Sequence, residues 1–135
     1  MNVSRLATVF SATWALFILY VGINYLIAPE TIAPGMGMPA WPDGEATAFL
    51  NLKGVRDATF GVVGLVLLAT KQRYALGIAT LAVALAPLGD MLTVFRWDGS
   101  TTTALFVHGL TAVFVALTGA LLIREHRTAR APIAA

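Results

Sequence analysis

The chain has 135 residues, a formal net charge of +2 and no cysteine, and 58% of it is apolar against 12% charged, whereas soluble domains carry about 25% charged residues. With a mean hydropathy of +0.78, the apolar residues exceed what one globular core can hide, so a single domain in a lipid bilayer is expected. The lack of cysteine excludes disulfides, thiolate catalysis, iron–sulfur clusters and cysteine zinc sites, and basic residues scattered without an aromatic-interleaved patch exclude nucleic acid as a partner.

A hydrocarbon core of ~30 Å needs about 20 helical residues, and four segments approach that length: 6–28, 48–70, 74–95 and 103–123. The first follows Met1 and Arg5 as a signal peptide would, but its apolar stretch exceeds the ~7–15 residues of a signal core, so it reads as a retained span. Residues 29–47 hold four prolines and three glycines and form a long loop suited to a lid, a binding loop or a rest on lipid headgroups. Only the later part of the second span, 58–70, is free of charge. Lys71, Gln72 and Arg73 make a tight turn to the third span, which contains Pro87 and Asp90. A second short turn, 96–102, leads to the fourth span, which contains His108. Short links make neighbouring helices antiparallel. The expected fold is therefore an all-α, integral membrane four-helix bundle, up-down-up-down.

Basic residues set its orientation. Arg5, Lys71, Arg73, Arg124, Arg127 and Arg130 collect at one end, and Arg96 stands among Glu30, Asp43, Glu45 and Asp98 at the other, so both termini are expected in the cytoplasm and the loop outside. The inner (plasma) membrane is the expected location. The tail 124–135 reads as a cytoplasmic end in contact with anionic lipid, with His126 a solvated surface residue.

Ionisable groups inside a span cost ~2.5–3.5 kcal/mol each on insertion scales, and by default they raise a functional hypothesis. Here they are Lys53, Arg56, Asp57, Asp90 and His108. Counted along the helical rise, Asn24, Asp90 and His108 lie about 8–9 Å inward from the outer ends of their spans, and Arg56 and Asp57 about 12–14 Å. Four helices thus bring polar groups to one level. Lys53, Arg56, Asp57, Phe60, Gly61 and Gly64 recur at helical spacing, and the glycines mark a close helix contact. Thr80, Val83, Pro87, Asp90 and Val94 share a face, with Pro87 freeing the carbonyl of Val83. His108, Thr111, Ala112, Val115 and Gly119 share another. An outward-opening polar pocket is expected above a tightly packed inner half.

In a structural account of that pocket, Arg56 pairs with Asp90, Lys53 pairs with Asp57, and His108 bonds a carboxylate, so that the cluster only sets helix register. In a functional account, Asp57 and Asp90 divide the acid and base roles and His108 shuttles the proton. Lys53 and Arg56 then hold charge in place, and Asn24, Trp41 and Arg96 complete a binding site for a small lipophilic molecule. Other chemistries fare worse. Lys53 and Arg56 repel a metal from Asp57, Asp90 and His108, and no HExxH-like spacing occurs. Only His108 offers an axial ligand to haem, Ser4, Ser11 and Ser100 lie away from the pocket, and no glycine-rich nucleotide motif occurs. Trp14 and the phenylalanines read as lipid-facing or core. No cofactor is implied.

The run KGVRD (53–57) followed by Gly61, the run GDMLTVFR (89–96), and His108 with Gly109 resemble a bacterial and fungal membrane family called domain of unknown function 4267, within the broader DoxX-like four-helix proteins. The likeness covers about 7–123. It implies a four-span helical bundle with those polar residues as its signature, and it supplies no reaction, which has to come from the site itself. The residues leave two classes open. One is a cofactor-free acid/base isomerase or cyclase. The other is a proton-coupled carrier, which with four spans and no inverted repeat needs a homo-oligomer, or an accessory subunit of a larger membrane complex.

Overall fold

The computed structural model describes residues 3–129, and every regular element among them is helical. Met1, Arg130 and the tail beyond 129 lie outside the described residues.

Helix α1 (Val3–Ile27) runs without a break because no proline interrupts it. Pro29 then resets the chain: having no N–H, it fits the first position of a new helix, α2 (Pro29–Ile32), which passes into the 3-10 turn Ala33–Met36. A second 3-10 turn, Gly44–Thr47, leads into α3 (Ala48–Ala69). Helices α4 (Arg73–Val83) and α5 (Leu85–Arg96) form one rod interrupted at Ala84. The interruption falls where Pro87 leaves the carbonyl of Val83 without a donor, as expected. After a short turn, Ser100 caps α6 (Thr101–Thr103) by accepting the Thr103 N–H on its Oγ at 3.2 Å. The wide π turn Ala104–Gly109 and helix α7 (Leu110–Ala129) follow. Lys71 (φ 59°) and Asp98 (φ 53°) take left-handed conformations in the two tight turns.

Three helical stretches, Val3–Ile27, Arg73–Arg96 and Thr101–Thr128, are long and apolar enough to cross a membrane. Helix α3 is comparable at 22 residues but carries Lys53, Arg56 and Asp57. Large apolar side chains such as Ile27, Phe49, Leu85 and Phe106 are exposed, which suits an acyl-chain environment and not water.

Helix α1 packs along α3, and α4 along α7. The first pair is close because glycines face backbone. A Cβ on Gly61 would stand 2.7 Å from the Ala15 carbonyl oxygen, and one on Gly54 2.9 Å from that of Gly22. The expected glycine stripe on the second span is thus a helix contact. The second pair repeats the device, with a Cβ on Gly119 meeting the Gly77 carbonyl oxygen at 2.9 Å. Ala7, Trp14, Ala15, Leu76, Ala84, Val115 and Leu122 form the main buried cluster.

At the end that carries Lys71, Arg73 ties three helices together. Its guanidinium donates to Glu125 at 2.6 Å, to Thr8 Oγ1 at 3.0 Å and to the Ser4 carbonyl at 3.2 Å. His126 at this end stacks at 4.9 Å on Tyr74, so it is a packed residue and not simply a solvated one.

Candidate functional site

A cavity of about 330 Å³ lies among α1, α3, α5, the π turn and α7, at the small end of the ~300–1,000 Å³ range of ligand pockets. Most of its wall is apolar, including Phe17, Val21, Phe60, Val83, Pro87 and Val115. Lys53, Asp57 and Asp90 supply its charged groups, with His108 and the phenols of Tyr20 and Tyr25 beside them. The site is therefore an apolar chamber with a cluster of polar side chains, and less polar than its sequence suggests.

Within the cluster the two carboxylates are placed differently. Asp57 is 2% exposed and takes the Lys53 ammonium at 2.6 Å, one helical turn away on the same helix. Asp90 is 26% exposed, and its nearest cation is the same ammonium at 3.8 Å. Lys53 also stands 5.1 Å above the ring of Tyr25, so carboxylates and an aromatic face surround it. One carboxylate is tied down, and the other keeps free acceptor positions.

His108 is brought to the cavity by the π turn, whose extra residue per turn rotates the side chains that follow relative to an unbroken α-helix. Its Nε2 lies 3.0 Å from the carbonyl oxygen of Met36. A carbonyl can only accept, so Nε2 carries the proton and donates. That bond fixes the segment after α2 as a cap, and Ile32, Gly35 and Met36 line the cavity. The cap is held again at Gly37, whose carbonyl accepts the Ser100 N–H at 2.7 Å. Gly37 has φ +78°, and a Cβ there would stand 2.6 Å from Thr103 Cβ, so glycine is required twice over.

The family model described as Domain of unknown function (DUF4267) matches residues 15–122. The chain belongs to the DUF4267 family. Its KGVRD and GDMLTVFR runs and His108–Gly109 all fall within the matched residues. No curated protein and no solved structure matches it.

In this DUF4267 chain the expected convergence of Lys53, Asp57, Asp90 and His108 on one cavity is present, as is the Lys53–Asp57 pair. Two expected pairings are corrected. Arg56 pairs with Asp57, Nε to Oδ1 at 3.3 Å, and not with Asp90. Successive residues stand 100° apart around a helix, so with Asp57 facing inward Arg56 turns outward, and its side chain is 51% exposed. His108 bonds a backbone carbonyl of the cap and not a carboxylate. Three further expected site residues do not line the cavity. Asn24 donates to the Tyr20 carbonyl of its own helix at 2.8 Å. Trp41 lies beyond the cap and is 44% exposed. Arg96 is exposed at the end of α5, six residues or about 9 Å along the helix from Asp90.

Sequence reasoning missed Tyr25, Met36 and the π turn. Tyr25 is an aromatic in an apolar span with no periodic feature to mark it. Met36 acts through its backbone, which no side-chain pattern reveals. Trp14, left between lipid and core, is 4% exposed and in the core, where it lines the cavity and its Nε1 has no hydrogen-bond partner among the described residues. Among the described residues no three of His, Asp or Glu stand together as a metal site would need.

Proposed function

We propose that this protein is a single-domain, multi-pass four-helix bundle of the plasma membrane, with both termini cytoplasmic. Its outward-facing cavity binds a small lipophilic molecule and isomerises or cyclises it by proton transfer. Asp90 is the base that takes a proton from the ligand. His108 accepts that proton at Nδ1 and returns it to a second atom of the ligand, and Asp57 with Lys53 and Arg56 holds the charge of the cluster in place. Trp41 and Arg96 would flank the entrance, and Asn24 the outer end of α1.

The observation that carries this reading is the difference between the two carboxylates. Asp57 is sealed and paired, whereas Asp90 is 26% exposed at a cavity wall and 3.8 Å from its nearest cation. Groups of one kind in unlike surroundings are how a site separates its roles. The apolar wall supports a lipophilic ligand, and the cap that His108 holds supports exclusion of water during proton transfer.

Isomerisation and cyclisation conserve elemental composition, which makes the test specific. Lipid extracts of host cells carrying wild type, His108→Gln and Asp90→Asn are compared by mass spectrometry with chromatographic separation. Gln can still donate to the Met36 carbonyl without titrating, so both variants should insert and fold. The expected result is a pair of compounds of equal mass whose ratio inverts in both variants, a loss of about a hundredfold or more in product formation. Identical extracts from well-folded variants would refute the enzymatic reading. The cluster would then be structural, in a carrier or an accessory subunit.

A further inference from the structure

The polar groups on the cavity wall differ in which hydrogen-bonding positions they leave open, and that difference selects among lipophilic ligands. We infer that the ligand is a neutral lipophile bearing a hydroxyl group, an alcohol or phenol, whose O–H donates to one of the free acceptors, Asp90 or Nδ1 of His108. The inference rests on the ligand-binding reading above and does not depend on its chemistry.

Three observations carry it. First, Nε2 of His108 is committed as a donor to the Met36 carbonyl at 3.0 Å. A neutral imidazole with its proton on Nε2 has a bare Nδ1, which can only accept. Second, among the described residues Asp90 accepts no hydrogen bond, and it pairs with the Lys53 ammonium at 3.8 Å. An ionised carboxylate is acceptor-only. Third, Lys53, the nearest strong donor, is engaged by Asp57 at 2.6 Å, by Asp90 and by the Tyr25 ring. The polar wall therefore offers unfilled acceptors, and a ligand group that fills them must be a donor. The hydroxyls of Tyr20, Tyr25 and Thr111 on the wall can act either way and do not discriminate. The partnerless Nε1 of Trp14 belongs to another part of the wall, eleven residues or about 16 Å back along α1 from Tyr25.

Charge decides between a neutral donor and an ammonium. Lys53 and Arg56 balance Asp57 and Asp90. An ammonium on Asp90 would lie beside the Lys53 ammonium in an apolar chamber, where like charges repel strongly and little water screens them. A hydroxyl fills the same acceptors without that cost.

The test uses matched probes on the full-length protein in lipid nanodiscs. The chain has three tryptophans, and Trp41 and Trp97 are 44% and 61% exposed outside the cavity wall. In the wild-type protein Trp14 in the wall is the fluorescent reporter, and the exposed Trp41 and Trp97 add a background that varies linearly with probe. Para-hexylphenol, its methyl ether para-hexylanisole and the cation para-hexylbenzyltrimethylammonium are titrated, and saturable change is separated from the linear change of simple partitioning. The phenol is expected to saturate, the ether to bind about tenfold more weakly or worse because it has no proton to donate, and the cation not to saturate. Asp90→Leu should bring the affinity for the phenol down towards that of the ether. Equal saturable binding of phenol and ether, or tighter binding of the cation, overturns the donor assignment while leaving a lipophile-binding cavity in place. If no probe saturates in wild type, the binding reading fails and this inference falls with it.

Discussion

Lys53 is the residue on which the buried cluster depends, and its removal can be given a magnitude. The ammonium sits 2.6 Å from Asp57, whose side chain is 2% exposed, and is itself 16% exposed. Deleting one partner of a buried pair strands the other charge, at a cost of ~3–5 kcal/mol. Arg56 Nε remains 3.3 Å from the other carboxylate oxygen, so Lys53→Met should fall near the lower end of that range. Arg56 is 51% exposed, and an exposed pair contributes only about 0–1 kcal/mol, which is what Arg56→Leu should cost. The double variant Lys53→Met/Asp57→Leu replaces the pair with apolar side chains of similar size and should recover most of the loss. Equilibrium unfolding of the purified protein in mixed micelles with increasing dodecyl sulfate, followed by circular dichroism, measures all four changes, including Asp57→Leu alone. Coupled residues depart from additivity by about 0.5–3 kcal/mol. Additive losses, or an Arg56→Leu loss as large as that of Lys53→Met, would refute the argument.

Three further outcomes are expected. Gly61→Val should destabilise by ~1–3 kcal/mol in the same unfolding assay, because its Cβ would meet the Ala15 carbonyl oxygen at 2.7 Å. Gly89→Ala, with nothing within 4 Å of its Cβ, should be neutral or stabilising by up to about 1 kcal/mol through helix propensity. Since the chain has no cysteine of its own, single cysteines report topology cleanly: an impermeant thiol reagent on intact cells should label Ala40→Cys and Ser100→Cys and spare Gln72→Cys. Labelling of Gln72→Cys would invert the orientation.

Much of the helical layout is legible in composition and spacing because both act locally. Pro29 and Pro87 break the chain where a missing N–H must, and the structure starts α2 at the first and interrupts the α4–α5 rod just before the second. The glycines at helical spacing on α3 announce a close neighbour whatever that neighbour is; Gly61 and Gly64 face α1, and Gly54, outside the expected stripe, does so too. Depth is legible too, since a rise of about 1.5 Å per residue converts position into level. Lys53, Asp57, Asp90 and His108 could therefore be placed together before any helix was packed.

Azimuth and backbone contacts are another matter. Neighbouring residues differ by 100° around a helix, so KGVRD alone does not say whether Arg56 or Lys53 turns to the other carboxylate; the close contact of α3 with α1 decides it by facing Asp57 inward. The partner of His108 is a carbonyl 72 residues away, on a segment whose path no periodicity describes. The π turn that aims His108 has no residue signature in the sequence. What the amino-acid order determines alone is an all-helical, apolar chain of the DUF4267 family with a band of ionisable groups at one level. Which of those groups are tied together, which keep free acceptors, and which segment caps them is decided only by tertiary structure, because hydrogen bonds depend on direction to within a fraction of an ångström and helical spacing specifies a face only to within a turn.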